Sequence, residues 1–305
     1  MGVAPKESSG QLLFAFCQEF FGSLFMYLLF FPVGAMLGNT FEGWIFHFLA
    51  VICFDILTFG SCANPMICVA LFLSGKLTFI GTVIRVAAEL LVGLVAFSLL
   101  HAIVPEKLID LTGGPELSAG FGIYYGCIVE GLISFVFALT VLLASSFVPD
   151  PEFSRPLFAT TLRLLIEFAA PITGGNMNTM VGFSWAFYTN RMYSQDYQMI
   201  YTLSPLLGGA AAAGVYCLLM TQFPSEKEVI VSERKVTKKK RPESIRKTEP
   251  NGVDELKKVV ALESPKKEMK TPTKAPKKAP EARSVTRSQT TGPNLRKKSV
   301  KLNFD

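Results

Sequence analysis

Six long apolar runs dominate this chain and restrict the folds that are open to it. They cover residues 11–37, 43–61, 77–104, 119–148, 155–173 and 198–222, and the first and fourth runs each contain a single acidic residue. A mostly apolar run of about 20 residues is long enough to cross the hydrocarbon core of a bilayer as a helix. The sequence therefore predicts an all-α membrane protein with six transmembrane helices.

Two shorter apolar runs, 65–74 and 179–189, are too short to cross a bilayer. Asn is a preferred N-cap residue and Pro is favoured at the first helical position, so Asn64-Pro65 marks the start of a helix, and Asn178 stands in the same place before the second run. Irregular backbone at membrane depth is tolerated only where it is buried in protein or lines a water-filled cavity. We therefore predict two re-entrant half-helices that border a cavity.

The two halves of the chain repeat the same order of features. Glu19 precedes Asn64 by 45 residues, and Glu130 precedes Asn178 by 48 residues. Each half contains two spans, a half-helix and a third span, so the halves cross the membrane in opposite directions. Paired short segments in such an inverted repeat are typical of a membrane transport site.

Charge divides the chain into two regions. Residues 1–222 carry 7 Lys/Arg and 13 Asp/Glu, whereas residues 223–305 carry 23 Lys/Arg and 11 Asp/Glu. We predict a transmembrane domain over 1–222 and a basic cytosolic tail over 223–305, which has too few aromatic residues to build a core and is expected to be disordered. Because basic residues collect on the cytosolic side, both termini are placed in the cytosol, in either the plasma membrane or an intracellular membrane. Anionic lipid is a candidate partner of the tail, and the alternative is a solvated tail with no specific partner.

Residues that could carry catalysis or bind a metal are few. The six cysteines lie in apolar runs without a CxxC spacing, which indicates small buried side chains and neither a metal site nor a disulfide framework. His47 and His101 are the only histidines, and no serine or acid is arranged around them as a triad. No catalytic residue, metal, cofactor or nucleic-acid partner is therefore expected, and an enzyme is the least favoured class.

Acidic residues inside the predicted spans need interior partners, because a charge in the membrane normally faces the protein interior. Glu19 and Glu130 are predicted to be structural, each accepting backbone N–H groups of a half-helix loop. Asp55 has no evident partner in its own helix. The pairs of opposite charge spaced i, i+4, which are predicted to pair along their helices, are Arg85 with Glu89 and Arg163 with Glu167.

Two stretches of the sequence resemble the paired Asn-Pro-Ala regions of the aquaporin family. They are residues 64–66, Asn-Pro-Met, and residues 171–178, with Pro-Ile-Thr-Gly leading to Met-Asn. Glu19 and Glu130 match the family's paired acids in the first and fourth spans. Residues 203–209 look like the start of the family's last span, so the resemblance covers about residues 11–222.

The two triplets also depart from the family pattern. Met66 stands where the family has Ala, Thr179 and Met180 stand for Pro-Ala, and Val181 replaces the Arg of the family's constriction. Such irregular triplets are most similar to the divergent unorthodox, or super-aquaporin, branch of the family. The methionines at positions 66 and 180 either narrow a pore at the midplane or pack away from it.

The resemblance implies an aquaporin-like pore between the two half-helices. Residues of its midplane would be Asn64, Pro65, Met66, Asn178, Thr179 and Met180. Residues of its outer constriction would be Trp44, Ile166, Gly175 and Val181. The implied function is a passive channel for water or small neutral solutes such as glycerol, working as a homotetramer in the lipid bilayer. The alternative is a non-conducting membrane scaffold of the same fold, whose tail recruits lipid or partners.

Overall fold

The computed structural model describes residues 4–37, 40–105, 113–148 and 150–222, and all regular structure in these ranges is helical. In chain order the helices are α1 Ser9–Leu37, α2 Phe41–Leu57, α3 Pro65–Leu73, α4 Phe79–Ile103, α5 Ile123–Phe147, α6 Pro151–Thr173, α7 Thr179–Tyr188 and α8 Gln195–Gln222. The predicted tail, 223–305, lies outside the described residues, so its disorder and its lipid partner stay predictions.

Six of these helices are the predicted spans. α1, α4, α5, α6 and α8 are long and apolar enough to cross a membrane. α2 has 17 residues, at the lower end of the range of about 17–25 residues for spanning helices. It ends earlier than the predicted run because the chain turns at Phe59 and Gly60, whose φ angles are 55° and 80°. The prediction of six spans and two half-helices is confirmed.

The half-helices α3 and α7 contain 9 and 10 residues. At a rise of 1.5 Å per residue each is about 15 Å long, roughly half of the hydrocarbon thickness of a bilayer. Neither helix is therefore long enough to cross the bilayer by itself.

The two repeats, α1–α4 and α5–α8, interlock through their half-helices. Within each repeat the first helix packs on the last, α1 on α4 and α5 on α8. The half-helix α3 packs on α8, and α7 packs on α4. Each half-helix is thus held against the last span of the other repeat, which brings the two N-termini together.

The contact between α5 and α8 depends on a glycine. A Cβ atom at Gly208 would collide with the backbone carbonyl of Gly131. Small residues at such positions allow membrane helices to approach closely and to gain packing energy. This close approach holds the second repeat together around the site described next.

Candidate functional site

The N-termini of α3 and α7 are capped in the same way. The side-chain oxygen of Asn64 accepts a hydrogen bond from the backbone N–H of Met66 at 3.1 Å, and that of Asn178 accepts one from Met180 at 3.0 Å. An N-cap side chain satisfies one of the backbone donors that a helix leaves unpaired at its start. Both predicted caps are therefore present in the structure.

The side-chain amide groups of the two Asn residues reach across to the opposite repeat. The amide of Asn64 donates to the backbone carbonyl of Met177 at 2.9 Å, and the amide of Asn178 donates to that of Ala63 at 2.7 Å. Ala63 and Met177, each directly before its Asn, have φ angles of 43° and 49°. Non-glycine residues seldom adopt this left-handed conformation, and here it turns each carbonyl toward the opposite half-helix.

Two buried glutamates hold the loops that lead into the half-helices. The carboxylate of Glu19 accepts from the hydroxyl of Ser61 at 2.6 Å and from the backbone N–H groups of Cys62 and Ala63 at 3.1 and 3.0 Å. Both Glu19 and its loop thus belong to the first repeat.

The second repeat has the same arrangement around Glu130. Its carboxylate accepts from the hydroxyl of Thr173 at 2.6 Å and from the backbone N–H groups of Asn176 and Met177 at 3.0 and 2.9 Å. Because every partner is a donor, the carboxylate fixes the loop that presents Asn178.

A third acid, Glu89, takes part in this centre, and the predicted pair with Arg85 is wrong. Glu89 is fully buried and accepts from the backbone N–H of Asn64 at 2.8 Å. Arg85, one turn earlier in α4, instead donates to the carboxylate of Glu7 at 3.0 Å. The spacing placed both residues on one helix face, but Glu89 lies deeper in the protein, where it accepts from the N-cap residue of the half-helix α3.

Tertiary contacts also decide the other charged pairs. Arg163 pairs with Glu167 as predicted. Asp55, which had no partner in sequence, forms an ion pair of 2.6 Å with Arg155 from α6. This contact joins residues that are 100 positions apart, so no local spacing indicated it.

A cavity of about 610 Å³ runs past the two asparagines. At one end it is lined by the Asp55–Arg155 pair and by Ser145, and at the other by residues 113–116 and Phe31. Asn64 and Asn178 lie on its wall between these ends. The cavity therefore passes the point where the half-helices meet.

Three of the four residues predicted at the outer constriction line this cavity: Ile166, Gly175 and Val181. Trp44 is not among the described residues that line this cavity, so its place at the constriction stays a prediction. Trp44 lies in the first turn of α2, where its ring stacks on Phe48 at 5.8 Å between centroids and faces a separate small pocket. His47, one turn further along α2, lines the cavity instead.

The methionines of the two triplets pack away from the cavity. Among the described lining residues, neither Met66 nor Met180 appears, and both are fully buried. A Cβ on Gly209 of α8 would lie 2.7 Å from the sulfur of Met66, and one on Gly93 of α4 would lie 3.6 Å from the Cγ of Met180. Each methionine thus fits against a glycine in the last span of the other repeat.

Pro65 and Thr179, the first residues of α3 and α7, are buried and are likewise not among the described residues that line the cavity. They start the half-helices, whereas the preceding asparagines face the cavity. Of the six residues predicted at the midplane, only Asn64 and Asn178 line the cavity.

Two half-helices that meet at their N-termini inside six spans, beside a cavity lined by a pair of Asn residues, define a polytopic membrane protein of the aquaporin fold. The family model described as Major intrinsic protein matches residues 7–216, and the chain belongs to this family. Proteins of this family are channels rather than enzymes, in line with the predicted absence of catalysis.

Several curated proteins are similar to this chain. Aquaporin A of Dictyostelium discoideum is 29% identical over 230 residues, which cover 68% of this chain and 79% of that protein. Probable aquaporin SIP2-1 of Arabidopsis thaliana is 22% identical over 191 residues, 61% of this chain and 78% of that protein. Probable aquaporin TIP5-1 of Arabidopsis thaliana is 28% identical over 165 residues, 52% of this chain. The match spans only 60% of the length of TIP5-1.

A solved structure has a similar fold. The aquaglyceroporin from Plasmodium falciparum matches with a TM-score of 0.52 at 15% identity, over 70% of this chain and 96% of that one. Several of the curated relatives are SIP-type aquaporins, which supports the predicted divergent branch of the family. The comparisons give no support to the scaffold alternative.

Proposed function

We propose that this protein is a passive membrane channel for water and small neutral solutes such as glycerol. The observation that carries the proposal is the pair of half-helix N-termini, with Asn64 and Asn178 on the wall of one continuous cavity. Membership of the major intrinsic protein family supports the same class of function.

The chemistry of this centre suits neutral, oxygen-bearing solutes. A helix N-terminus carries roughly half a positive charge, so two of them facing each other disfavour a cation. Each Asn amide has two N–H groups, and one of them is donated to the opposite repeat. The second N–H of Asn64 has no acceptor within the described residues, whereas that of Asn178 meets the sulfur of Met26 at 3.8 Å. A thioether sulfur is a weak acceptor, so the oxygen of a passing water or alcohol molecule can replace it.

The outer part of the cavity suits a solute that is less polar than water. Ile166 and Val181 line it with apolar side chains, and Gly175 adds no side chain at all. The side chain of Val181 adds neither a charge nor a hydrogen-bond donor to this part of the cavity wall. We infer that the constriction passes small alcohols as well as water, with the imidazole of His47 as a polar contact.

Stopped-flow light scattering of proteoliposomes tests this function. We expect both water efflux and glycerol entry to exceed those of protein-free liposomes. Val181→Arg places a charged, bulky side chain in the cavity and should reduce glycerol entry more than water efflux. Val181→Leu, which adds bulk without charge, is the matched control. If well-folded protein gives fluxes equal to those of protein-free liposomes, the channel function is refuted and the non-conducting scaffold remains. If Val181→Arg leaves the selectivity between glycerol and water unchanged, the proposed constriction is refuted.

Assembly and orientation are part of the same proposal. Glu7 before α1 contacts Arg85 near the start of α4, and Lys76 after α3 donates to Ser146 at the end of α5 at 3.0 Å, so these segments share one side. We infer that this side is cytosolic and that the protein forms a homotetramer through its exposed apolar helix faces. Native mass spectrometry in detergent should give four copies per particle, and protease added outside sealed cells should leave the tail intact.

A further inference from the structure

Two cysteines and a glutamate come together beside the first half-helix. The sulfur atoms of Cys62 and Cys68 and a carboxylate oxygen of Glu19 all lie within 4.8 Å of one another. The sequence indicated only small buried thiols, because no CxxC spacing is present. We propose that this cluster is a binding site for a soft monovalent metal ion such as Cu(I), with the two thiol groups as its ligands.

The cluster is reached from the cavity. Cys62 is half-buried and lines the cavity directly before Ala63 and Asn64. Cys68 is fully buried in α3, so its sulfur is approached past Cys62. An ion that enters the cavity therefore meets Cys62 first and is then bridged to Cys68.

Glu89 places beside the site a buried carboxyl oxygen that has no hydrogen-bond partner among the described residues. One of its carboxylate oxygens accepts from the backbone N–H of Asn64, and the thiol of Cys68 lies 3.6 Å from the same oxygen. The other oxygen is buried and has no hydrogen-bond partner within the part of the chain that the structure describes. A buried acceptor without a partner is unfavourable, and a cation held at the neighbouring thiol would stabilise it.

The ligands favour a soft ion with few ligands. Thiolates select ions such as Cu(I) and Zn(II) over harder ones. An ion that lies about 2.3 Å from each of two sulfur atoms can bridge them when the sulfurs are at most about 4.6 Å apart. The sulfur atoms of Cys62 and Cys68 lie within 4.8 Å of each other, which is compatible with such a bridge. Zn(II) prefers four ligands, and a ligand oxygen from Glu19 would have to leave its hydrogen bonds to the loop.

Charge also favours a monovalent ion. A buried charge is costly unless it is compensated. The thiolate is the form that binds metal, so one thiol releases its proton to the water of the cavity as the ion enters. One monovalent ion, one thiolate and one thiol then form a neutral group.

Metal binding at Cys62 would obstruct the passage. Cys62 precedes Ala63, whose carbonyl accepts from the amide of Asn178, so a bound ion would stand on the cavity wall beside the two asparagines. This consequence rests on the proposed channel function, whereas the binding itself does not.

Binding is measured on the purified full chain in detergent, by competition for Cu(I) with a chromophoric chelator under reducing conditions. We expect one tightly bound Cu(I) per chain. Cys62→Ser and Cys68→Ser should each weaken Cu(I) binding by at least about 10- to 100-fold. That is the loss of affinity seen when a residue that only supports a metal ligand is replaced, and here the ligand itself is removed. The matched control is Cys53→Ser, which removes an exposed thiol of α2 and should bind as the unaltered chain does.

Three results would overturn the site. They are unchanged Cu(I) binding in the Cys62→Ser/Cys68→Ser double variant, dependence on Cys62 alone, and a preference for Zn(II) over Cu(I) in the same competition. Gel filtration of each variant shows whether it is folded, so weakened binding is counted only for a monodisperse peak.

Flux separates this inference from the channel function. Ag(I), as a stable stand-in for Cu(I), should block water efflux from proteoliposomes of the unaltered chain and leave Cys62→Ser conducting. Efflux at the lipid background before Ag(I) is added would refute the channel while Cu(I) binding stays measurable. Efflux that continues in saturating Ag(I) would refute the obstruction.

Discussion

Replacing Glu130 by Gln removes the charge and one acceptor from a buried centre in which every partner is a donor. The side chain is fully buried, and it accepts from Thr173, Asn176 and Met177 at 2.6, 3.0 and 2.9 Å. If the amide oxygen of Gln takes the place that serves Thr173 and Asn176, its NH₂ group faces the backbone N–H of Met177. Two donors then face each other, and the N–H of Met177 loses its partner.

The cost follows from that one lost contact. A hydrogen bond to a charged group contributes about 1.5–3 kcal/mol, and a buried donor without a partner costs about 1–3 kcal/mol. These terms overlap, so we expect a loss of about 2–4 kcal/mol. For a domain of about 150–250 residues, 1 kcal/mol shifts Tm by about 2–4 °C, which gives a Tm lower by about 5–15 °C.

The assay is temperature-dependent gel filtration of detergent-purified protein. Glu152→Gln is the control, because Glu152 is exposed in the first turn of α6 and its carboxylate has no hydrogen bond or ion pair within the described residues. Its interaction with the helix dipole contributes about 0.3–1 kcal/mol. Water efflux per folded protein should also fall in Glu130→Gln, because the loop that presents Asn178 is no longer fixed. A Tm for Glu130→Gln that matches that of Glu152→Gln would refute the reasoning.

Two further sets of substitutions test the helix packing and the cavity rim. Gly208→Ala should reduce the folded fraction in gel filtration, because its Cβ would meet the carbonyl of Gly131 and overpacking costs about 1–3 kcal/mol. The control is Gly214→Ala in the same helix, which should be neutral because nothing lies within 4 Å of the added Cβ. Equal folded fractions of the two variants would contradict the role of the Gly208–Gly131 contact. Asp55→Asn and Arg155→Gln, singly and together, should show a coupling of only about 0.2–1 kcal/mol in thermal unfolding, since both side chains are about one-third exposed. A larger coupling would mean that this pair fixes α2 to α6.

Several parts of the fold could be predicted from the sequence because they depend on short-range properties. The length of an apolar run decides whether a helix can span a membrane, and α3 and α7 were too short to do so. Asn64 and Asn178 cap their helices through hydrogen bonds to residues two positions later, so the start of each half-helix is set locally. The order of spans and half-helices then placed Glu19 and Glu130 in matching positions.

The site required contacts between residues far apart in sequence. Asp55 meets Arg155 over 100 positions, and the amide of Asn178 meets Ala63 over 115. Helix spacing alone paired Arg85 with Glu89, but the carboxyl group of Glu89 accepts from the backbone N–H of Asn64, the N-cap residue of α3. Only the packing of α4 against α3 decides between these partners.

The sequence by itself therefore determined six membrane spans, two half-helices and the asparagines that start them, because helix length and capping are local. Only the tertiary structure decided which side chains border the cavity. It turned Met66 and Met180 toward glycines of the opposite repeat, placed His47 on the cavity wall, and brought Cys62 close to Cys68. The direction of a side chain depends on the helix packed against it, and for the two methionines that neighbour comes from the other half of the chain.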